Sequence, residues 1–467
     1  MEKDFINLIK DFMLPIVNRE NSLINFMDTH YKKYIEELKQ LIKTQKFLDN
    51  EFINNLADKI DEIDDICKNI IKILRLYDKG NKIKSHSLFF KLIDDLENRL
   101  FIRENNSNIT GHEFRYYRIR STEEKRDYKR KEIFHIPFNK REHISSCRYS
   151  IAGYPCIYLS SSSKLCWFEC GMPKKFILAE YEFNDEVSKM KIIDFALDSY
   201  RFAEWVKSVY ISKNKAKKKK RAHELLLNHF ITYPIKVACS IIVKNKEANF
   251  KHEYVLPQML LLWVRDNDTY SGIAYHSCTN QNLAPKFGVH NLVLPAKDIG
   301  KDGYCKYLKQ NLRISKPEYI EISFLLKEIQ KKVEVLRDFS EDLLVYYENG
   351  MEFKILRNMR SICITFIRIY EDLIDDNYLN GRTYLQTIES LKFSCDQVIN
   401  NKKILIDNII EDDVLMKKNN KEKIKRKIFN IFGDFENKVQ KVILSAQCSI
   451  SKIGHSSNKN DDFDYIK

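Results

Sequence analysis

Between Phe114 and about Ala296 the chain breaks into short runs rich in β-branched and aromatic residues: FRYYRIR, PCIYLSS, KFILAEYEF, VACSIIV, GIAYHS and HNLVLPA. Such side chains suit the pleated, half-buried surface of a sheet, so each run reads as a strand. Helical segments interrupt them near Ser163 to Cys170, around Tyr200 to Tyr210, across HELLLNHF and in EYVLPQMLLLWV. Most of the prolines fall here as well. The mixture predicts an α+β domain over residues 111–310.

The flanks have a different texture. Leu56, Ile60, Ile63, Cys67, Ile70 and Leu74 alternate spacings of four and three, which lines one face of a helix. Asn50 is a suitable cap for that helix and Gly80 a suitable end. A second helix is expected from about His86 to Arg103. The polar stretch ENNSNITG closes it and marks the end of an N-terminal helical region, residues 1–110. Beyond Pro317 helical periodicity returns through FLLKEIQKKVEVLRDF, LKFSCDQVI and KVQKVILSA, with Gly350 and Gly381 as breaks and SSNKNDDFDYIK as a frayed end. Residues 311–467 thus form a C-terminal helical region. A chain of 467 residues is long enough for two or three domains.

Composition narrows the class further. Hydrophobic residues at 44% and charged residues at 31% fit a folded globular chain. No run reaches ~18 apolar residues, and MEKDFINLIKDF lacks the pattern of a secretory signal. A cytoplasmic protein without membrane contact is expected. The eleven cysteines contain no CxxC pair, which fits reduced thiols, and Cys166 with Cys170 supplies only two ligands, so no metal site is expected. The net charge of +14 fits any anionic partner without choosing among them. Much of it lies in KNKAKKKKR at 213–221, and such a run is ordinarily a solvated face; nucleic acid is therefore not an expected partner.

Several strings look catalytic until their spacing is checked. HELLLNH places His223 and His229 six apart, on different faces of a helix, whereas a zinc-binding helix needs them four apart. RKEIFH has an arginine and a histidine at the spacing of some helical ribonucleases, but Arg130 and His135 lead into Pro137 in a strand-like setting. Neither GxxxxGK nor GxGxxG occurs.

The informative segment is CRYSIAGYPCIYLSSSSKLCWFEC, from Cys147 to Cys170. It reads as an arginine at the start of a turn, a reversal at Gly153, a short strand ending in Tyr158, a serine-rich cap and a helix carrying Trp167 and Glu169. The hydroxyls of Ser160 to Ser163 face the unsatisfied amides of the helix start, a place that favours anions. Singly, each residue has a bland reading: a surface arginine, a packed strand tyrosine, a solvated glutamate. Together they suit a dinucleotide whose glycosidic bond breaks. A guanidinium binds phosphate oxygens bidentately, a tyrosine packs on a sugar or a ring, and a carboxylate stabilises a sugar cation.

The order and spacing of these residues resemble the RES domain, a bacterial family named for an arginine, a glutamate and a serine. Arg148, Tyr149, Ser150, Gly153, Tyr158 and Glu169 follow its pattern, ten and then eleven residues separating the arginine, the tyrosine and the glutamate. FRYYRIR and FHIPFNKRE resemble the opening of a longer subfamily. EYVLPQMLLLWV and GIAYHS resemble its helix and serine-bearing strand, which would make Ser277 the family serine, and HNLVLPA with Asn291 resembles the closing strand. The resemblance implies a fold like that of the ADP-ribosyltransferase toxins, with a split mixed β-sheet and NAD in its cleft. It implies cleavage of NAD by phosphorolysis or hydrolysis, with NAD and inorganic phosphate as substrates rather than cofactors, and a toxin held by an antitoxin or regulatory protein. Arg148 would hold a phosphate, Tyr158 would pack on the nicotinamide or its ribose, Glu169 would act on the ribose and Ser277 would hydrogen-bond the substrate. Arg118, alternating with Tyr116 and Arg120, would add a second phosphate contact or face solvent. His276 would point away from Ser277 if the strand is regular. Two alternatives stand beside this reading: ADP-ribosyl transfer from the same site, and an RNA-binding or ribonuclease module motivated by the basic runs. Neither helical flank is covered by the resemblance.

Overall fold

A computed structural model describes residues 5–44, 47–104, 115–171, 173–184, 190–212, 216–245, 247–278 and 289–321, with scattered positions beyond. The chain opens with α1 (Phe5–Asp11), the two-residue β1 (Ile16–Val17), α2 (Leu23–Thr44), α3 (Asn50–Asp58), α4 (Ile60–Asp78) and α5 (Lys82–Leu96). The apolar stripe expected on one helix is shared by two, because a turn at Lys59 (φ −100°, ψ −4°) separates α3 from α4. All six stripe residues are nevertheless buried. The cap is Asp49 rather than Asn50. Asp49 is extended and its carboxylate accepts from Phe52 N at 3.1 Å, whereas Asn50 already lies inside the first turn. Gly80, at φ +80°, follows the end of α4. The helix expected to reach Arg103 stops at Leu96, and after a single 3₁₀ turn the chain extends as β2 (Ile102–Glu104). Pairing with a sheet strand there overrides the helical periodicity.

The centre supplies β3 (Tyr116–Ser121), α6 (Arg130–Ile133), β4 (Cys156–Ser160), α7 (Ser163–Glu169), β5 (Lys175–Phe183) and β6 (Lys191–Asp194). It continues with α8 (Ser199–Ile211), α9 (Ala216–Cys239), β7 (Ile241–Ile242), α10 (Val255–Asp266), β8 (Gly272–Tyr275), β9 (Asn291–Pro295), α11 (Lys306–Asn311), β10 (Leu312–Ile314) and β11 (Glu318–Glu321). VACSIIV, expected as a strand, instead completes α9 and leaves only Ile241–Ile242 extended. A short apolar run buried on all sides looks the same in a helix as in a strand.

The fold is α+β. One mixed sheet runs β10-β5-β3-β4-β9-β8-β6-β2, with β11 beside β5, so it takes strands from both sides of the segment 111–310. Only β6 and β8 are parallel neighbours in it. β3 lies along β5 from Tyr116–Tyr181 to Ser121–Phe176, but it meets β4 at a single registered pair, Tyr117 opposite Ser160. The sheet is continuous but at its narrowest at the seam between β3 and β4, so the split expected from the resemblance is not seen as a break.

Alternation sends successive side chains to opposite faces. Ile157, Leu159, Ala274, Leu292 and Leu294 pack on one face with Ala179, Tyr181 and Phe134. Tyr158, Ile273, Tyr275 and Val293 belong to the other, in a core continuous with α9, α10 and the N-terminal helices. Direct bonds tie these helices together. Pro234, inside α9, has no N–H to give the carbonyl of Phe230 one turn back. The Tyr34 hydroxyl donates to that carbonyl at 3.0 Å, and Tyr31 donates to Pro234 O at 2.8 Å. Trp263 Nε1 on α10 donates to Asp94 on α5 at 2.7 Å, and β1 pairs in parallel with β7.

LKFSCDQVI, KVQKVILSA, most of FLLKEIQKKVEVLRDF, Gly350 and Gly381 lie outside the described residues. In the tail expected to fray, Asp464 forms an antiparallel bridge with Ile314, its N–H donating at 3.2 Å and its carbonyl accepting at 3.1 Å. Among the described residues no helix is long and apolar enough to cross a membrane.

Candidate functional site

Arg148 sits in a tight loop closed by Cys147 N donating to Ser150 O at 2.8 Å. The chain then reverses at Gly153 (φ +77°), whose N–H reaches Ile144 O at 2.9 Å, and enters β4, which runs past Tyr158 to Ser160. Arg148 is 9% exposed, its guanidinium carbon lies 5.2 Å from the centre of the Tyr254 ring, and its Nη1 has no hydrogen-bond partner. Arginine stays charged in such surroundings, and a buried charge without a hydrogen-bonded partner is destabilising. The arrangement keeps a donor ready for an anion.

Tyr158 is fixed at both ends. Its hydroxyl lies 2.9 Å from Ser150 Oγ, which ties β4 to the Arg148 loop, and its carbonyl accepts from Arg118 Nη1 at 2.9 Å. Arg118 thus reaches into the seam between β3 and β4, half-buried, with its Nε unpartnered. Burial pushes the Cys147 thiol up, and Ser150, Arg118 and Lys251 each pull it back. Two further cations therefore act on the residue next to Arg148.

Glu169 ends α7 and is half-buried. Its Oε1 accepts from Asn291 Nδ2 at 2.9 Å, while Asn291 Oδ1 accepts from Ser160 Oγ at 2.6 Å. Ser160 and Asn291 are opposite each other on β4 and β9. The hydroxyl bond settles the orientation of the amide and aims its N–H at the carboxylate. The serines do not form the expected anion-binding cap. Ser162 is the N-cap of a seven-residue helix and makes no side-chain cap bond, Ser160 is committed to Asn291, and Ser161 Oγ accepts from His290 N at 2.8 Å.

Arg148 and Glu169 act on the same neighbours. Burial raises the hydroxyls of Tyr254 and Tyr275 and the thiol of Cys278; in all three Arg148 lowers the value and Glu169 raises it. Tyr275 also raises the hydroxyl of Tyr158, after burial and the two thiols of Cys147 and Cys156. Ser277 is 1% exposed, two residues past the end of β8 and next to Cys278. Arg148 and Glu169 thus share Tyr275 as an electrostatic neighbour, Tyr158 is influenced by the same tyrosine, and Ser277 is adjacent in sequence to Cys278. A cation and a positioned carboxylate that act on the same buried tyrosines can hold an anionic ligand and oppose positive charge developing on it.

Tyr254 and Tyr275 enter the site without standing out in the sequence, and Asn291, named there only as part of the closing strand, gains a role as the partner of Glu169. Arg103, Asp194, Tyr116 and His290 form a second buried polar cluster. Arg103 bonds Asp194 Oδ2 at 2.9 and 3.2 Å, and its Nη1 lies 2.6 Å from His290 Nε2, which is 3.1 Å from the Tyr116 hydroxyl. His290 precedes Asn291, so this cluster buttresses the start of β9. β8 stops at Tyr275, so the regular alternation that would separate His276 from Ser277 does not extend to them. His276 is buried, which lowers its pKa, and its Nδ1 is unpartnered.

The other motifs have structural partners. His223 Nε2 lies 3.2 Å from Asp49 Oδ1. Arg130 occupies the short helix α6 rather than a strand and donates to Ile314 O at 2.7 Å; His135 Nε2 accepts from Cys305 N at 2.9 Å. Lys217, Lys218 and Lys220 are exposed, and Lys219 pairs with Asp49 at 2.9 Å. Among the described residues no group of three or more His, Cys, Asp or Glu is placed to hold a metal ion.

Among proteins of known sequence, the chain is similar to a Bacillus subtilis (strain 168) protein named "Putative toxin YopC". The two are 30% identical over 299 residues, covering 62% of this chain and 64% of that protein. The chain therefore spans less than two thirds of the relative it matches. No family model matches the chain, and no solved structure does.

Proposed function

We propose that the chain is an NAD-degrading enzyme of the RES type that cleaves the nicotinamide N-glycosidic bond and acts as a growth-arresting toxin. The observation that carries this reading is the pairing of a buried arginine whose Nη1 is unpartnered with a carboxylate held by Asn291, both acting on Tyr254, Tyr275 and Cys278. Arg148 takes a phosphate of the dinucleotide, with Arg118 in the seam beside it. As the bond between the ribose anomeric carbon and the nicotinamide nitrogen breaks, the electron pair leaves with nicotinamide and the ribose becomes cationic. Glu169 stabilises that cation, and an anionic oxygen of inorganic phosphate, or the oxygen of a water that loses a proton to solvent, then bonds to the anomeric carbon. Tyr158 packs beside the reacting sugar and Ser277 hydrogen-bonds the substrate. The similarity to a protein named as a toxin supports the physiological half of the reading, since loss of NAD stops growth. A toxin of this kind needs an antitoxin or regulatory protein in its own cell.

Purified protein incubated with NAD, with and without inorganic phosphate, is expected to release nicotinamide. The sugar product separates the two routes: a phosphorylated ADP-ribose for phosphorolysis, free ADP-ribose for hydrolysis. A folded protein that releases no nicotinamide in either condition overturns the proposal.

A further inference from the structure

Gln258 lies four residues after Tyr254, one helical turn along, where side chains share a face. Tyr254 covers the Arg148 guanidinium. Gln258 grips the backbone on either side of it: its Nε2 donates to Ser146 Oγ at 2.8 Å and to Cys147 O at 2.9 Å, with Ser150 O a third acceptor at 3.3 Å. One side-chain amide thus spans the loop before and after the arginine. We propose that Gln258 is a positioning residue that holds the 146–150 loop so that Arg148 stays aimed at an anionic phosphate group of the substrate.

The chemistry favours glutamine at this place. The acceptors are two carbonyls and a hydroxyl, so the position needs an N–H₂ group that offers two hydrogens without a charge. Glutamate would set a carboxylate against two carbonyl oxygens, and methionine would fill the space without bonding them. Tyr158 holds the same loop from the sheet side through Ser150, but it reaches only the end of the loop that follows Arg148. Removing Gln258 frees the end that precedes it. Because a guanidinium binds phosphate through directed bonds, a loosened loop loses affinity before it loses turnover.

The inference rests on the reading of Arg148 as the phosphate-binding group, and its test separates the two. The probe is inorganic pyrophosphate, which needs no cleavage chemistry; its binding is followed by the rise in Tm of the full chain. Wild type is expected to be stabilised by pyrophosphate, Arg148→Met not at all, and Gln258→Met and Gln258→Glu only at concentrations about tenfold higher. In the Arg148→Met background the Gln258 change is expected to alter pyrophosphate binding no further, because one residue acts through the other. With NAD, Gln258→Met is expected to raise KM about tenfold and change kcat less than threefold, a split that general loosening of the fold does not produce. Gln258→Asn, which keeps the amide on a shorter arm, serves where either variant folds poorly. Wild-type KM and wild-type pyrophosphate binding in a folded Gln258 variant overturn the inference, as does a wild-type protein indifferent to pyrophosphate. Pyrophosphate binding that depends on Gln258 in a protein that leaves NAD intact upholds the inference and overturns NAD cleavage alone.

Discussion

Asn291 donates to Glu169 Oε1 at 2.9 Å while its own carbonyl takes the Ser160 hydroxyl at 2.6 Å, so a strand side chain that bonds on both sides holds the carboxylate at the end of α7. Glu169→Gln keeps an acceptor for Asn291 and removes the negative charge. It is expected to lower nicotinamide release by about 10²- to 10⁴-fold with little change in Tm. Asn291→Leu leaves the carboxylate charged but unheld and the Ser160 hydroxyl without its acceptor. Its expected loss of activity is smaller, about 10- to 100-fold, with a drop in stability of about 1–3 kcal/mol. Equal activity in Glu169→Gln and wild type would remove Glu169 from the reaction.

Two buried cations give signatures that agree in stability and differ in activity. Arg148→Met removes a buried guanidinium whose Nη1 is unpartnered and is expected to raise Tm while ending NAD cleavage. Lys236 is also buried, its Nζ 4.2 Å from the centre of the Phe101 ring and unpartnered; burial pushes its ammonium down to about 7, with Asp194 pulling the other way. Lys236→Met is expected to stabilise the protein by about 1–3 kcal/mol at pH 7 and to leave cleavage intact. The folded-state value lies below the ordinary 10.5, so the unfolded chain holds more protons between pH 7 and 10.5. The advantage of the methionine variant shrinks as pH rises through that window. Thermal melts and nicotinamide assays on the two variants check both halves.

Acid should destabilise the fold through its buried histidines. Burial, with Lys33 nearby, holds His30 at about 4, and burial holds His135 at about 4 against the pull of its bond to Ile136 O. Both values lie below the ordinary 6.5, so between pH 6.5 and 4 the unfolded chain binds protons that the folded one refuses. The stability these neutral rings carry is complete above pH 6.5 and declines as pH falls toward 4. Tm measured from pH 8 to 4 is expected to bend downward below 6.5, and His135→Asn to soften the bend.

Tyr34→Phe removes the donor that serves the Phe230 carbonyl left open by Pro234. A buried carbonyl without a partner costs about 1–3 kcal/mol. Chemical denaturation is expected to show a loss of that size, and the folded fraction is expected to keep its NAD cleavage. A neutral substitution would mean that water already serves the carbonyl.

Wherever local pattern decides structure, the sequence was readable. The stripe from Leu56 to Leu74, the reversal at Gly153, the strand bearing Tyr158, which runs two residues further than expected, and the short helix bearing Glu169 all follow from spacing and turn chemistry. It misled where distant partners decide. Ile102 reads as helix until β6 pairs with its strand, Val237 reads as strand although α9 claims it, and the serine hydroxyls read as a cap until His290 and Asn291 engage two of them. Arg148, Tyr158 and Glu169 stood out because they lie within one short segment. Tyr254 and Gln258 did not, and Asn291 was named without a role, because their partners are more than a hundred residues away in sequence.

The bonds between α2 and α9 also order events during synthesis. His30 and Tyr31 meet Tyr233 and Pro234 across 203 residues, so α2 leaves the ribosome long before the surface that covers it exists. Until α9 has emerged, the apolar stripes of the first helices stay open to chaperones and proteases. Translation that stops short of α9 yields a chain whose core cannot close.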